Sequence, residues 1–296
     1  MERLLARRAH NGLMKVCRFD ANRLGFVEGD SVADVTEALH AIAPAPYPPP
    51  HGDPLLLHFD AVCAAATELL PRARRLSLGS VRLLSPVAAP PRIIAAPVNY
   101  LLHQAEANAD GGVNFVKDVK TIAEYGLFLK SSSALVGPAQ GVKIDFPRRR
   151  TDHEIELVAV IGREGRDIAR DRALDYIAGY AIGLDMTLRG PEDRSLRKSL
   201  DTFAVLGPWL TTRDEVPDPN DLRLSLDVNG ESRQNASTRD LIFNVQRLVE
   251  YASSFYRLYP GDLIYTGTPE GVGPVVPGDI MTCRIDRLGS MQVAVR

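Results

Sequence analysis

Residues 151–165 read TDHEIELVAVIGREG. From Ile155 to Ile161 the run is apolar apart from Glu156, rich in β-branched residues and closed by Gly162, the pattern of a strand buried on both faces. Glu154 and Glu156 lie two residues apart, so on a strand they share one face with Cα atoms about 6.5 Å apart. Carboxylates so placed repel each other unless a counter-charge stands between them. An arginine, solvent or a cation would each meet that demand.

Downstream, GYAIGLDMTLRG (179–190) is a second apolar strand that ends on an acid, Asp185, with Arg189 following. Burying an aspartate at a strand end is costly without a counter-charge. Glu154, Glu156 and Asp185 together would make the oxygen-rich site that Mg²⁺, Mn²⁺ or Ca²⁺ prefers, and the lack of His or Cys in the set argues against zinc. Three such ligands leave coordination positions open for water and a bidentate oxygen pair, which suits a 1,3-dicarbonyl compound or a 2-oxo acid. A fixed ion that only staples strands together explains the same three residues.

A base is the next requirement. APVNYLLHQAEAN (96–108) supplies His103 and Glu106, spaced to share one face of a helical turn, where the carboxylate orients the imidazole. Lys198 in RSLRKSLDTFAVLGPWL (194–210) and Lys130 in GLFLKSSS (126–133) offer cations, though each alone reads as a surface lysine.

The chain around these segments has 296 residues and a net charge of −2, which gives no reason to expect nucleic acid or an anionic membrane as partner. Its three cysteines (Cys17, Cys63, Cys283) form no CxxC pair, so a disulfide framework is not suggested and a reducing cytoplasm fits best. Residues 1–13 are basic without an apolar core and read as a floppy leader or the result of an upstream start codon rather than a secretory signal. From Met14 to Glu37 short strands alternate with turns, a proline-rich loop follows, and LLLHFDAVCAAATELL (55–70) reads as a helix. A second proline-rich stretch, 84–97, places a domain boundary near Ala88. Beyond it, strand-like runs separated by Gly/Pro turns dominate. The clearest helix is STRDLIFNVQRLVEYASSF (237–255), with Ser237 as its expected N-cap. The expected class is α+β and β-dominated, with a small β-rich N-terminal unit (1–88) and a larger domain (89–296).

Taken together, APVNYLLHQAE, LFLKSSSALVGP, DHEIELVAVIG, IAGYAIGLDMTLRG, KSLDTFAVLGPWL and LYPGDLIYTGTPEGVGPVVPGD resemble, in order, the conserved segments of the fumarylacetoacetate hydrolase family. The resemblance runs from about Pro91 to Arg296. It implies a mixed β-roll catalytic domain, and it makes Glu154, Glu156 and Asp185 the Mg²⁺ or Mn²⁺ ligands. His103 and Glu106 match the dyad that activates water, and Lys198 the lysine that supports an oxyanion or substrate carboxylate. Lys130, Arg189 and Thr268 match positions near bound substrate. Residues 107–126, with Gly111 and Gly112 as hinges, correspond to a mobile lid, and a homodimer or larger assembly is implied. The activity implied is hydrolysis of a carbon–carbon bond in an acylpyruvate or related β-dicarbonyl compound. Oxaloacetate decarboxylation, and isomerisation or dehydration of a 2-oxo acid or unsaturated dioate, use the same constellation and stay open. A non-catalytic metal-binding module accounts for the carboxylates but not for His103, Glu106 and Lys198.

Overall fold

The computed structural model describes residues 14–113 and 118–296. The leader expected over residues 1–13 lies outside the described residues, as do residues 114–117 of the expected lid. The core is a twelve-stranded mixed sheet whose centre is built from Ala204–Thr212, Ile177–Asp185, Ile155–Ile161 and Leu263–Tyr265, in that order. Every residue of Ile155–Ile161 is buried, which is why its sequence runs apolar without alternation. Its two faces look into different cores. Leu157, Ala159 and Ile161 join the helix Val245–Phe255 and the four-stranded sheet that contains Leu224, Leu226 and Met281. Val158 and Val160 join Val16, Leu24 and Phe26 from the N-terminal strands and Val62 and Ala66 from the helix Phe59–Leu69.

Register then decides where the acids fall. Ile155 pairs with Leu184 and Glu156 with Gly183, and the Asp185 amide donates to the Glu154 carbonyl at 2.9 Å. Glu154 and Glu156 continue the face that Val158 and Val160 begin, so the carboxylates gather at the end of the second core. Gly183 permits this close packing, since a Cβ there would stand 2.5 Å from Val158 Cγ2 and 2.6 Å from Tyr265 Cε1.

The N-terminal strands do not form a separate sheet. Lys15–Phe19 pairs antiparallel with Ala204–Thr212, matching Val16 to Leu210, so residues on both sides of position 88 share one sheet and one core. Asp53, fully buried, fastens the junction: its Oδ2 accepts the amides of Ala88 and Ala89 at 3.0 and 2.8 Å, while Oδ1 caps the helix turn at Pro54.

One helix starts later than its sequence suggests. Ser237 accepts from the Arg239 amide and opens only a 3₁₀ turn, and the helix proper runs Val245–Phe255 with Asn244 Oδ1 accepting from the Arg247 amide at 3.0 Å. Leu241 and Ile242, which match the helical spacing, instead bond to the chain at Tyr100 and Asn99. Tertiary pairing overrides local periodicity there. No helix among the described residues is long and apolar enough to cross a membrane.

Candidate active site

The three acids meet at one point. One oxygen from each of Glu154, Glu156 and Asp185 lies within 4.8 Å of the other two, and all three residues are buried. Lys198, at the end of the short helix Arg194–Lys198, places its Nζ 2.6 Å from both Glu154 Oε2 and Asp185 Oδ2. Arg189 donates to Glu154 Oε1 at 2.9 Å and to Asp152 Oδ2 at 2.8 Å. Lys130 sits beneath the cluster rather than on the cavity wall; its ammonium pairs with Asp185 Oδ1 and donates to the Phe203 carbonyl at 2.7 Å.

Charge is unevenly shared. Burial alone would raise the carboxyl pKa of Glu154, but Lys198 and Arg189 hold it well below the usual carboxylate range. Glu156 has no cationic partner among the described residues, only the Gly267 amide at 2.7 Å. Burial and the adjacent Asp185 charge therefore push it well above its ordinary value. Burial lowers the Lys130 ammonium, an effect Asp185 partly offsets. A buried acid short of positive charge, in an all-oxygen set of this spacing, fits a hard divalent cation.

The dyad brings His103 to the lining of the same cavity as the triad. The helix Leu101–Ala109 carries His103 and Glu106 one turn apart, with Nδ1 3.0 Å from Glu106 Oε2. Glu106 Oε1 accepts the Gly271 amide at 2.9 Å, so the carboxylate is itself held. The helix start is anchored by Asn99, whose side chain donates to the Phe243 and Thr266 carbonyls and accepts the Phe243 amide. On its far side Gln104 and Asn108 bond Val119 at 2.7 and 2.9 Å, tying down the segment that follows the expected lid hinges.

One open cavity is shared by these groups, with His103, Glu154, Glu156, Asp185, Arg189, Lys198 and Thr268 all lining it. The Thr268 hydroxyl is already engaged, donating to the Ile155 carbonyl and accepting from Gln234 Nε2. Seven of the nine residues singled out from sequence thus line one cleft, and the other two act through these, Glu106 bonding His103 and Lys130 pairing with Asp185. Sequence reading passed over Gln234, the one buried residue of the strand Glu231–Ser237, and Arg194 and Arg197 on the cavity wall. The spacing of Arg194 four residues before Lys198 on a helix capped by Asp193 was the available signal for the last pair.

The family model described as fumarylacetoacetate (FAA) hydrolase C-terminal matches residues 92–296. The chain belongs to the fumarylacetoacetate hydrolase family. Within that family it is 54% identical over 285 residues to a maleylpyruvate hydrolase of Aquipseudomonas alcaligenes, covering 96% of this chain and 99% of that one. A mitochondrial oxaloacetate tautomerase of Xenopus laevis is 36% identical over 229 residues, covering 73% of this chain and 69% of the relative. Among solved structures, a maleylpyruvate hydrolase from Sphingobium sp. SYK-6 in complex with manganese(II) and pyruvate superposes with a TM-score of 0.80 at 42% identity, covering 95% of this chain and 98% of that one. The family thus holds relatives named for different reactions.

Proposed function

We propose that this protein is a divalent-metal-dependent hydrolase that cleaves the carbon–carbon bond of an acylpyruvate, with maleylpyruvate as the leading candidate. The observation that carries the reading is one cavity lined by an all-oxygen acid triad and by His103, which is bonded to Glu106. The 54% identity to a maleylpyruvate hydrolase over nearly the whole chain favours this chemistry over tautomerisation.

Glu154, Glu156 and Asp185 would hold Mg²⁺ or Mn²⁺, with Ca²⁺ a weaker alternative. The ion supplies positive charge where the pyruvate half gathers electron density as the bond breaks. Glu106, fixed by the Gly271 amide, would orient His103 through Nδ1 and leave its Nε2 to act as the base. His103 takes a proton from water, and the resulting hydroxide adds to the acyl carbonyl remote from the carboxyl end. Lys198, whose ammonium lies beside Glu154 and Asp185, would steady the oxyanion formed there. The bond from that carbon to the neighbouring methylene then breaks, its electron pair staying with the pyruvate half, which takes up a proton. The products are a carboxylic acid and pyruvate, and one water is consumed. Lys130 holds Asp185, and Arg189 holds Glu154 against Asp152, so both preserve the triad's shape.

The experiment is turnover of an acylpyruvate panel and oxaloacetate with Mn²⁺ present and after chelation, together with His103→Ala. Metal-dependent release of pyruvate, abolished in the variant while Mn²⁺ affinity survives, supports the reading. Loss of CO₂ or conserved mass assigns decarboxylation or isomerisation instead. The same proposal includes residues 1–88 as an accessory unit to the domain 89–296, a homodimer and a cytoplasmic location. The last rests on three buried, unpaired cysteines, two of which, Cys17 and Cys63, have thiols that burial raises to about 12.

A further inference from the structure

The cavity carries more positive charge than the triad requires. Arg189 is committed to Asp152 and Glu154, and Lys198 to Glu154 and Asp185. Arg194 and Arg197 line the same cavity and have no carboxylate partner among the described residues. Among the described residues Arg194 is held only by aromatic faces, its guanidinium carbon 4.8 Å from the Tyr125 ring centre and 5.6 Å from that of Phe128. Arg197 donates Nε to the Glu192 carbonyl at 2.8 Å and Nη1 to the Leu188 carbonyl at 3.2 Å, which aims the fork and leaves Nη2 without an acceptor among the described residues. Its basicity is lowered first by burial and then by the neighbouring Arg189 and Arg194 cations. Crowding half-buried guanidinium groups is unfavourable unless an anion joins them.

Position adds a direction. Arg194 and Lys198 are four residues apart on one helix, so they share a face, with Arg194 about 6 Å along the helix axis from the lysine that binds the acid triad. A divalent ion in the triad would leave the cavity wall with a surplus of three positive charges, since four cations already face three carboxylates. A substrate with one carboxylate answers only part of that surplus. Arginine forks match a carboxylate in two parallel bonds, whereas a terminal methyl group would leave them unpaired.

Resting on the acylpyruvate reading, we propose that Arg194 and Arg197 form a subsite for a second carboxylate at the far end of the substrate. They select acylpyruvates that end in a carboxylate over those that end in a methyl group. Both are specificity residues; neither reaches the reacting carbon in this account.

The test measures kcat/KM of the Mn²⁺-loaded full chain on maleylpyruvate and on methyl-ended acetylpyruvate, in wild type, Arg194→Met and Arg194→Lys. Methionine keeps an apolar stem against Tyr125 and Phe128 while removing the fork. The expected result is a fall of about 10- to 100-fold in the maleylpyruvate-to-acetylpyruvate ratio, carried by KM, with partial recovery in the lysine variant. Arg148→Met, in a separate cleft beside Pro274, controls for net charge and should leave the ratio alone. A ratio unchanged by Arg194→Met overturns the proposal. Calorimetric binding of 2-oxoglutarate against 2-oxopentanoate to the Mn²⁺-loaded protein gives a readout free of turnover. Wild type should prefer the dianion at least tenfold, and Arg194→Met should lose most of that preference. If no acylpyruvate is cleaved but this preference follows Arg194, the hydrolase reading fails and the subsite stands; no preference in wild type overturns the subsite.

Discussion

His103 Nδ1 lies 3.0 Å from Glu106 Oε2, and the other oxygen of that carboxylate accepts the Gly271 amide at 2.9 Å. The imidazole is therefore oriented through a carboxylate that is itself fixed to the loop following the strand Leu263–Tyr265. Glu106→Gln keeps the size but places an amide donor where one of two hydrogens is already offered. Its kcat on an acylpyruvate should fall on the order of 100-fold, with Mn²⁺ affinity within about twofold of wild type. A comparable loss of metal affinity would show that Glu106 belongs to the ion's surroundings instead.

Lys198 links Glu154 to Asp185. Replacing it with Met removes one of two cationic partners from each of these buried carboxylates, leaving Arg189 on Glu154 and Lys130 on Asp185, so the cost should stay below the roughly 3–5 kcal/mol of a buried charge left wholly unpaired. Lys198→Met should melt well below wild type without metal, and saturating Mn²⁺ should raise its Tm by more than it raises that of wild type. Equal metal-induced shifts in the two proteins would contradict the charge account.

Gln234 uses both ends of its amide: Oε1 accepts the Ile155 amide at 3.0 Å and meets His153 Nδ1 at 3.1 Å, while Nε2 donates to Thr268 and to the Pro269 carbonyl. Gln234→Leu would strand an amide and a carbonyl in the interior. Urea unfolding should show a loss of about 2–4 kcal/mol. A loss under about 0.5 kcal/mol would mean the neighbours find other partners.

Asp262 supplies the pH test away from the acid triad. Burial raises its carboxyl from the ordinary 3.8 to about 6, against the pull of the Tyr259 amide and Arg92. Between those values the folded chain holds a proton that the unfolded chain has lost. Stability from this group is therefore fully present below about pH 4 and is lost as pH rises through about 6. Asp262→Asn removes the titration, so stability relative to wild type should climb by about 1–3 kcal/mol from pH 4 to pH 7 in urea melts. Parallel profiles would contradict it.

Much of this site is legible in sequence because burial leaves long apolar runs, and acids interrupting such runs stand out. Glu154, Glu156 and Asp185 are visible for that reason, and the antiparallel register of two strands then brings them together. The strand Glu231–Ser237 is hidden because only Gln234 is buried, so it shows no alternation of apolar residues. The start of the helix Val245–Phe255 is misplaced because Leu241 and Ile242 have helical spacing but are taken by the segment before His103. Arg194 and Arg197 look like surface residues in a charged stretch, and only the docking of a five-residue helix turns them inward. The N-terminal unit is marked off by the proline-rich stretch 84–97, while its pairing to the central sheet is not legible because it depends on contacts between residues nearly 200 positions apart, Val16 and Leu210 among them.

The central claim is that this cavity adds water across a carbon–carbon bond with the help of a divalent ion. The most direct measurement is turnover of maleylpyruvate by the Mn²⁺-loaded protein in oxygen-18-labelled water, with products followed by mass spectrometry before and after chelation. The account predicts two acids in equal amounts, one labelled oxygen in the carboxylate newly formed from the acyl half, and no reaction once the metal is removed. A product of unchanged mass, or cleavage that survives chelation, would contradict it.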